Sequence, residues 1–174
     1  MSDAARLLAE IHAARALVRD GLRDAKASAR PDHARLWAHA TRAPHGPVDL
    51  ATVRAIRSDP TTGRRYRTML GALALAHAPL AAAASDGAIV RRRVGAFALE
   101  ILEAADGAPP LLVLRGEAGQ MPRVIEAWLD DETARLDLGA ATEGAVVLAL
   151  DPAVPDAALL GRMLRDPACA VFLL

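Results

Sequence analysis

Apolar positions in the first part of the chain recur at steps of three and four. From Asp3 to about Ala27 they are Leu7, Leu8, Ile11, Ala14, Leu17, Val18, Leu22 and Ala25, with Arg6, Glu10, Arg15, Arg19 and Arg23 on other faces. This spacing predicts an amphipathic helix with Ser2 as its N-cap. Ala29-Arg-Pro31 ends it, because the residue before a proline avoids the helical region. A second helix is expected from Asp32 to Thr41, with Leu36, Trp37 and Ala40 on its apolar face and Pro44-His-Gly-Pro47 as the next break. Asp49 is placed to accept amide hydrogen bonds at the start of a third helix, with Val48 and Val53 at the two positions of a hydrophobic staple. Pro60 suits the first position of a fourth helix, which is expected to run to about Ala78 before Pro79.

After Ser85-Asp-Gly87 the period changes from about four to two. Phe97, Leu99 and Ile101 alternate with Ala96, Ala98 and Glu100, which predicts a half-buried strand. Asp106-Gly107 marks a turn before Leu111-Leu-Val-Leu114, so this pair reads as an antiparallel hairpin with a loop lengthened by Pro109 and Pro110. Further strands are expected at Arg123 to Leu129, Ala134 to Leu138 and Ala145 to Leu150. A short helix should follow from Pro155 to about Leu164, and a last strand from Cys169 to Leu174 that is inserted or edge-paired. The fold class is therefore α+β: an N-terminal small helical bundle, then a C-terminal antiparallel β-sandwich or barrel with one short helix. The corresponding division is a helical domain over 1–85, a linker over 86–93 and a β domain over 94–174.

Charge supports that division. The 21 basic and 21 acidic side chains cancel over the 174 residues, but residues 1–93 carry 16 basic and 8 acidic groups while residues 94–174 carry 5 and 13. A neutral sum thus conceals a basic and an acidic pole, which predicts either an electrostatic contact between the halves or two differently charged surfaces. Composition changes the picture in one further way. Hydrophobic residues make up 53% and aromatics only 3%, so the excess is alanine, 41 residues of it, and the cores must be built of Leu, Val, Ile and Ala. The longest apolar run, Met69 to Ala84, is interrupted by His77 and Pro79. As a helix it would reach about 24 Å against a hydrocarbon core of about 30 Å, so no membrane span and a cytoplasmic protein are expected.

Candidate chemistry is sparse. The histidines His33, His39 and His45 are six apart, a spacing that turns each about 240° from the last on a helix, so they do not share a ligand face. Asp130-Asp-Glu132 lacks the frame of a calcium loop and reads as a solvated turn. Gly116 and Gly119 lack the Lys-Ser/Thr of a phosphate cradle, there is no Gly-x-Ser-x-Gly elbow, and no serine lies beyond Ser85. Cys169, the single cysteine, sits in an apolar strand-like end and reads as a small buried hydrophobe. No catalytic residue, metal site or cofactor is assigned.

The arginines are the remaining candidates. Arg54, Arg57, Arg64, Arg65 and Tyr66 lie on two successive helices, and with Trp128 as an aromatic anchor they form the expected partner surface. Arg91-Arg-Arg93 adds a cluster at the junction. The expected function is a non-enzymatic regulatory or adaptor role through a protein partner. A small enzyme or enzyme subunit with a site between the halves is the alternative. Nucleic-acid binding through the arginine-rich helices is a second, opposed by the neutral sum and by the shortage of stacking aromatics.

The segment Val53-Arg-Ala-Ile-Arg-Ser-Asp-Pro-Thr-Thr-Gly-Arg-Arg-Tyr-Arg-Thr-Met-Leu70 resembles the central part of the zinc-type anti-sigma domain, a small helical domain that clasps an RNA-polymerase sigma factor. In that family a His-x3-Cys-x2-Cys signature binds zinc between two helices. Here Asp59-Pro-Thr-Thr62 falls on the Cys-Pro-x-Cys slots and Ala55 on the histidine slot, so the zinc does not carry over. The resemblance covers under a third of the chain. It implies a metal-free adaptor helix unit fused to a β domain.

Overall fold

Aspartates start three helices where the capping pattern predicts them. Asp32 accepts from the Arg35 amide at 2.8 Å and opens α1 (His33–Ala40). Asp49 accepts from the Ala51 and Thr52 amides at 3.0 and 3.2 Å and opens α2 (Leu50–Ser58). Asp59 has two roles: its own N–H closes α2 on the Ala55 carbonyl, and its carboxylate accepts from the Thr61 amide to open α3 (Pro60–Leu73) with Pro60 at the first turn. Each cap satisfies amides that the helix itself leaves without partners, which is worth about 1 kcal/mol. The computed structural model describes residues 30–43, 46–78, 91–103, 108–116 and 120–174. The helix expected from Asp3 to Ala27 lies outside the described residues.

The fourth expected helix ends early. Ala74 turns extended, at φ −67° and ψ 138°, and the Leu75 amide donates to the Leu173 carbonyl at 2.8 Å. The chain then continues as a strand, β1 (Ala76–Ala78), rather than as helix to Ala78. Seven further strands follow among the described residues: β2 (Arg91–Val94), β3 (Phe97–Leu102), β4 (Leu111–Gly116), β5 (Val124–Leu129), β6 (Glu132–Asp137), β7 (Ala145–Ala149) and β8 (Ala170–Leu173). Between β7 and β8 comes α4 (Pro155–Leu164), with the bounds that its starting proline predicts.

Two four-stranded sheets result, both antiparallel throughout. Their orders are β1-β8-β5-β6 and β2-β3-β4-β7. The alternation read from Phe97, Leu99 and Ile101 holds: these side chains, with Leu112 and Leu114, meet Ile125, Ala127, Val171 and Leu173 of the first sheet in one apolar core. Leu160, Met163 and Leu164 of α4 close that core. Cys169 is fully buried within it, as its apolar context predicts.

The first sheet is covered on its other face too. Residues of opposite parity, Trp128 and Phe172, pack with Leu36, Ala40, Ile56, Tyr66, Met69 and Leu70 of the helices in a second apolar cluster. Full burial of Leu36 and Leu70 contributes about 2 kcal/mol each by area. The described helices therefore lie as a layer on the first sheet. Two observations bear on the expected division of the chain. β1, from the 1–85 segment, is hydrogen-bonded to β8, and Arg91-Arg-Arg93, expected as the end of a linker, forms most of β2. Among the described residues, no helix is long and apolar enough to cross a membrane.

Candidate functional site

Where the helix layer meets the first sheet, one carboxylate organises the contact. Glu126 points from β5 toward the helices and is 3% exposed. It accepts from Arg135 Nη1 at 2.8 Å, from Trp128 Nε1 at 3.0 Å and from the Tyr66 hydroxyl at 3.2 Å. Arg135, across the register on β6, uses its Nη2 to donate to the Ala40 carbonyl at 3.0 Å. A cation thus sits at the C-terminal end of α1, where the helix dipole favours it. The network ties α1 and α3 to β5 and β6, and it replaces the water that a buried carboxylate would otherwise need.

Around this network the titrating groups are shifted by burial. The His39 ring, 5.5 Å from the Tyr66 ring, is lowered from 6.5 to about 4, by burial first and then by the Arg42 and Arg135 charges. Burial and the Glu126 charge push the Tyr66 hydroxyl far above its ordinary value, so it acts only as a donor. Arg42 Nη1 lies 3.4 and 3.3 Å from the two ring nitrogens of His39, which places the guanidinium across the imidazole. Burial and the neighbouring Arg135 both weaken its hold on its proton.

Arg42 and Arg135 open onto a cleft of about 990 Å³ between the C-terminal ends of α1 and α3 and the first sheet. Arg123 joins them on the rim, Asp137 supplies a carboxylate, and Leu73, Leu75, Met121 and Leu174 give an apolar wall. Arg135 is already paired with Glu126, so the basic lining of the cleft comes down to Arg42 and Arg123, beside the Asp137 carboxylate. With its pKa at about 4, His39 is neutral at pH 7, and Tyr66 keeps its proton there. Among the described residues, no group of three or more His, Cys, Asp or Glu is placed to hold a metal ion.

The surface residues singled out in the sequence divide in two. Tyr66 and Trp128 are 1% and 4% exposed, so they anchor the helix layer and are not free to meet a partner. Trp128 is also roofed by Arg67, whose guanidinium lies 5.3 Å from the ring centroid. Arg57 is exposed but reaches the sheet, donating through Nε to the Thr133 hydroxyl at 3.3 Å. Arg54, Arg64 and Arg65 are exposed and make no side-chain ion pair or hydrogen bond among the described residues. Arg91 pairs with Glu100 across the boundary between residues 1–93 and 94–174, inside a single hairpin.

Glu126, Arg135, Arg42 and Arg123 were not legible as a site. The available signal was a lone Glu inside Val-Ile-Glu-Ala-Trp-Leu129, two residues from Trp128 and so on the same strand face. An acid flanked on both sides by buried apolar residues calls for a buried cation. No protein-family model, curated protein or solved structure matches the chain.

Proposed function

We propose that the chain is a non-enzymatic adaptor or regulatory protein that binds a protein partner, and that the cleft receives an acidic, partly apolar segment of that partner. The observation that carries this reading is the pairing of Arg42, Arg123 and Arg135 with an apolar wall in one open cleft. An acidic side chain entering there would gain charge-assisted bonds from Arg42 and Arg123, while leucine-like neighbours would cover Leu75 and Met121. The exposed Arg54, Arg64 and Arg65 supply a second basic surface that would steer the same partner. The accompanying fold reading is a small helical unit joined to a β-sandwich. A sigma factor, suggested by the resemblance of Val53–Leu70, is the first natural partner to try.

The test is an affinity series on the full chain. A fluorescent peptide alternating Glu and Leu is titrated into the wild type, the double variant Arg42→Gln/Arg123→Gln and the double variant Arg54→Gln/Arg64→Gln. Loss of about tenfold or more is expected for the cleft variant, from at least one charge-assisted bond. The helix-face variant should bind almost as wild type. Equal losses in both would remove the cleft reading. Tight, salt-sensitive binding of single-stranded nucleic acid that depends on Arg54 and Arg64 would replace it with the nucleic-acid alternative.

A further inference from the structure

We infer that β7 is a pairing edge for a second copy of this chain. Among the described residues, the two sheets end in four edge strands, β1, β6, β2 and β7. An open edge offers unpaired N–H and C=O groups to any other strand, and proteins guard such edges with charge, proline or shortness. Three of these edges are guarded. β1 has three residues, β2 begins Arg91-Arg-Arg93, and β6 carries Glu132, Arg135 and Asp137. β7 reads Ala-Val-Val-Leu-Ala, without a charge or a proline.

The backbone phase shows which groups are open. The Gly116 amide donates to the Gly144 carbonyl at 3.1 Å and the Leu150 amide to the Pro110 carbonyl at 2.8 Å. In an antiparallel ladder this assigns the even-numbered residues of β7 to β4 and turns Val147 and Ala149 outward. Ala145 is already taken, because it exchanges bonds with Thr142 at 2.8 and 3.0 Å. Val147 is 59% exposed and Ala149 is exposed as well.

Charge selects both the occupant and the register. A charged partner strand has nothing on β7 to pair with, whereas a copy brings the same neutral, apolar edge. Pairing Val147 with itself would set Glu143 opposite Asp151 of the copy, a like-charge pair. Pairing Val147 with Ala149 avoids that contact and uses the open groups of both chains in a two-fold ladder. It also places Leu148 opposite its own copy at a non-hydrogen-bonded position, where Cα atoms approach to about 4.5 Å. On the outer face, the exposed row of Leu102, Leu111 and Ala149 then runs on into Val147 of the second chain.

The experiment is sedimentation of the full chain over a micromolar concentration series, alone and with two substitutions. The wild type is expected to run as a dimer. Val147→Lys should run as a monomer that keeps the wild-type circular dichroism spectrum, since that side chain is mostly in solvent, with a melting temperature that no longer depends on protein concentration. Leu148→Cys should form a disulfide-linked dimer under mild oxidant, and should fail to do so once Val147→Lys is added. Cys169, fully buried, does not compete. A wild type that stays monomeric, a dimer indifferent to Val147→Lys, or a Leu148→Cys chain that does not cross-link would each overturn the inference. So would a monomer that instead takes up an unrelated strand peptide at β7.

Discussion

Replacing Arg135 by methionine isolates the contribution of the buried network. The substitution removes the 2.8 Å pair with Glu126 and the 3.0 Å bond to the Ala40 carbonyl, and leaves a carboxylate that is 3% exposed. Breaking a buried pair from one side costs about 3–5 kcal/mol. The Arg135 side chain is 12% exposed and faces the cleft, so water can reach the vacated position; the lower end, ~3 kcal/mol, applies. For a chain of this size that is roughly 6–12 °C in melting temperature. Arg162→Met is the control. Its pair with Glu132 is shorter, at 2.6 Å, but both side chains are about half exposed, so under ~1 kcal/mol is expected. Urea unfolding followed by tryptophan fluorescence measures both, with unchanged slopes confirming a two-state comparison. Adding Glu126→Gln to Arg135→Met removes the stranded charge and should recover at least ~1 kcal/mol. Equal costs for Arg135→Met and Arg162→Met, or strict additivity with Glu126→Gln, would refute the claim that burial rather than distance sets the strength of these pairs.

Three other outcomes follow from the same geometry. Because the folded pKa of His39 is depressed to about 4, its contribution is complete above pH 6.5 and is lost as the pH falls toward 4. Allowing for partial exposure this is ~2 kcal/mol, and His39→Gln should flatten urea midpoints measured between pH 7 and pH 4; parallel curves would contradict it. Arg92 is 6% exposed and donates to the Cys169 carbonyl, and among the described residues its Nε and Nη1 meet no acceptor. Arg92→Met should leave stability unchanged or raise it by up to ~2 kcal/mol in thermal melts, and a clear loss would show that the guanidinium is stabilising. Burial pushes the Cys169 thiol up, so a thiol reagent should label it only at the rate of unfolding; rapid labelling of the native chain would show an opening at the α4–β8 junction.

Local signals carried much of the fold. Asp49, Asp59 and Pro155 announce their helices, and Phe97-Ala-Leu-Glu-Ile101 announces its strand, because capping and period are properties of a few adjacent residues. β1 and β2 were illegible for the opposite reason. Ala76-His-Ala78 has no strand pattern of its own and is extended because β8 offers it an edge, and Arg91-Arg-Arg-Val94 conceals its alternation since Arg92 is the buried member. The site is hidden in the sequence because Thr133, Arg135 and Asp137 alternate with Ala134 and Leu136 as a solvated strand face would. The sheet register sets Arg135 opposite Glu126, and only the helix layer laid over that face buries the pair and makes Arg135 a wall of the cleft. A strand pattern cannot report what packs upon it.

The most direct measurement of the central claim is an NMR titration of the isotope-labelled full chain with the Glu-Leu peptide. Shift changes should converge on Arg42, Leu75, Arg123 and Arg135, saturate with the peptide and weaken as salt is raised. Changes centred instead on Arg54, Arg64 and Arg65, with the cleft residues unmoved at saturation, would contradict it.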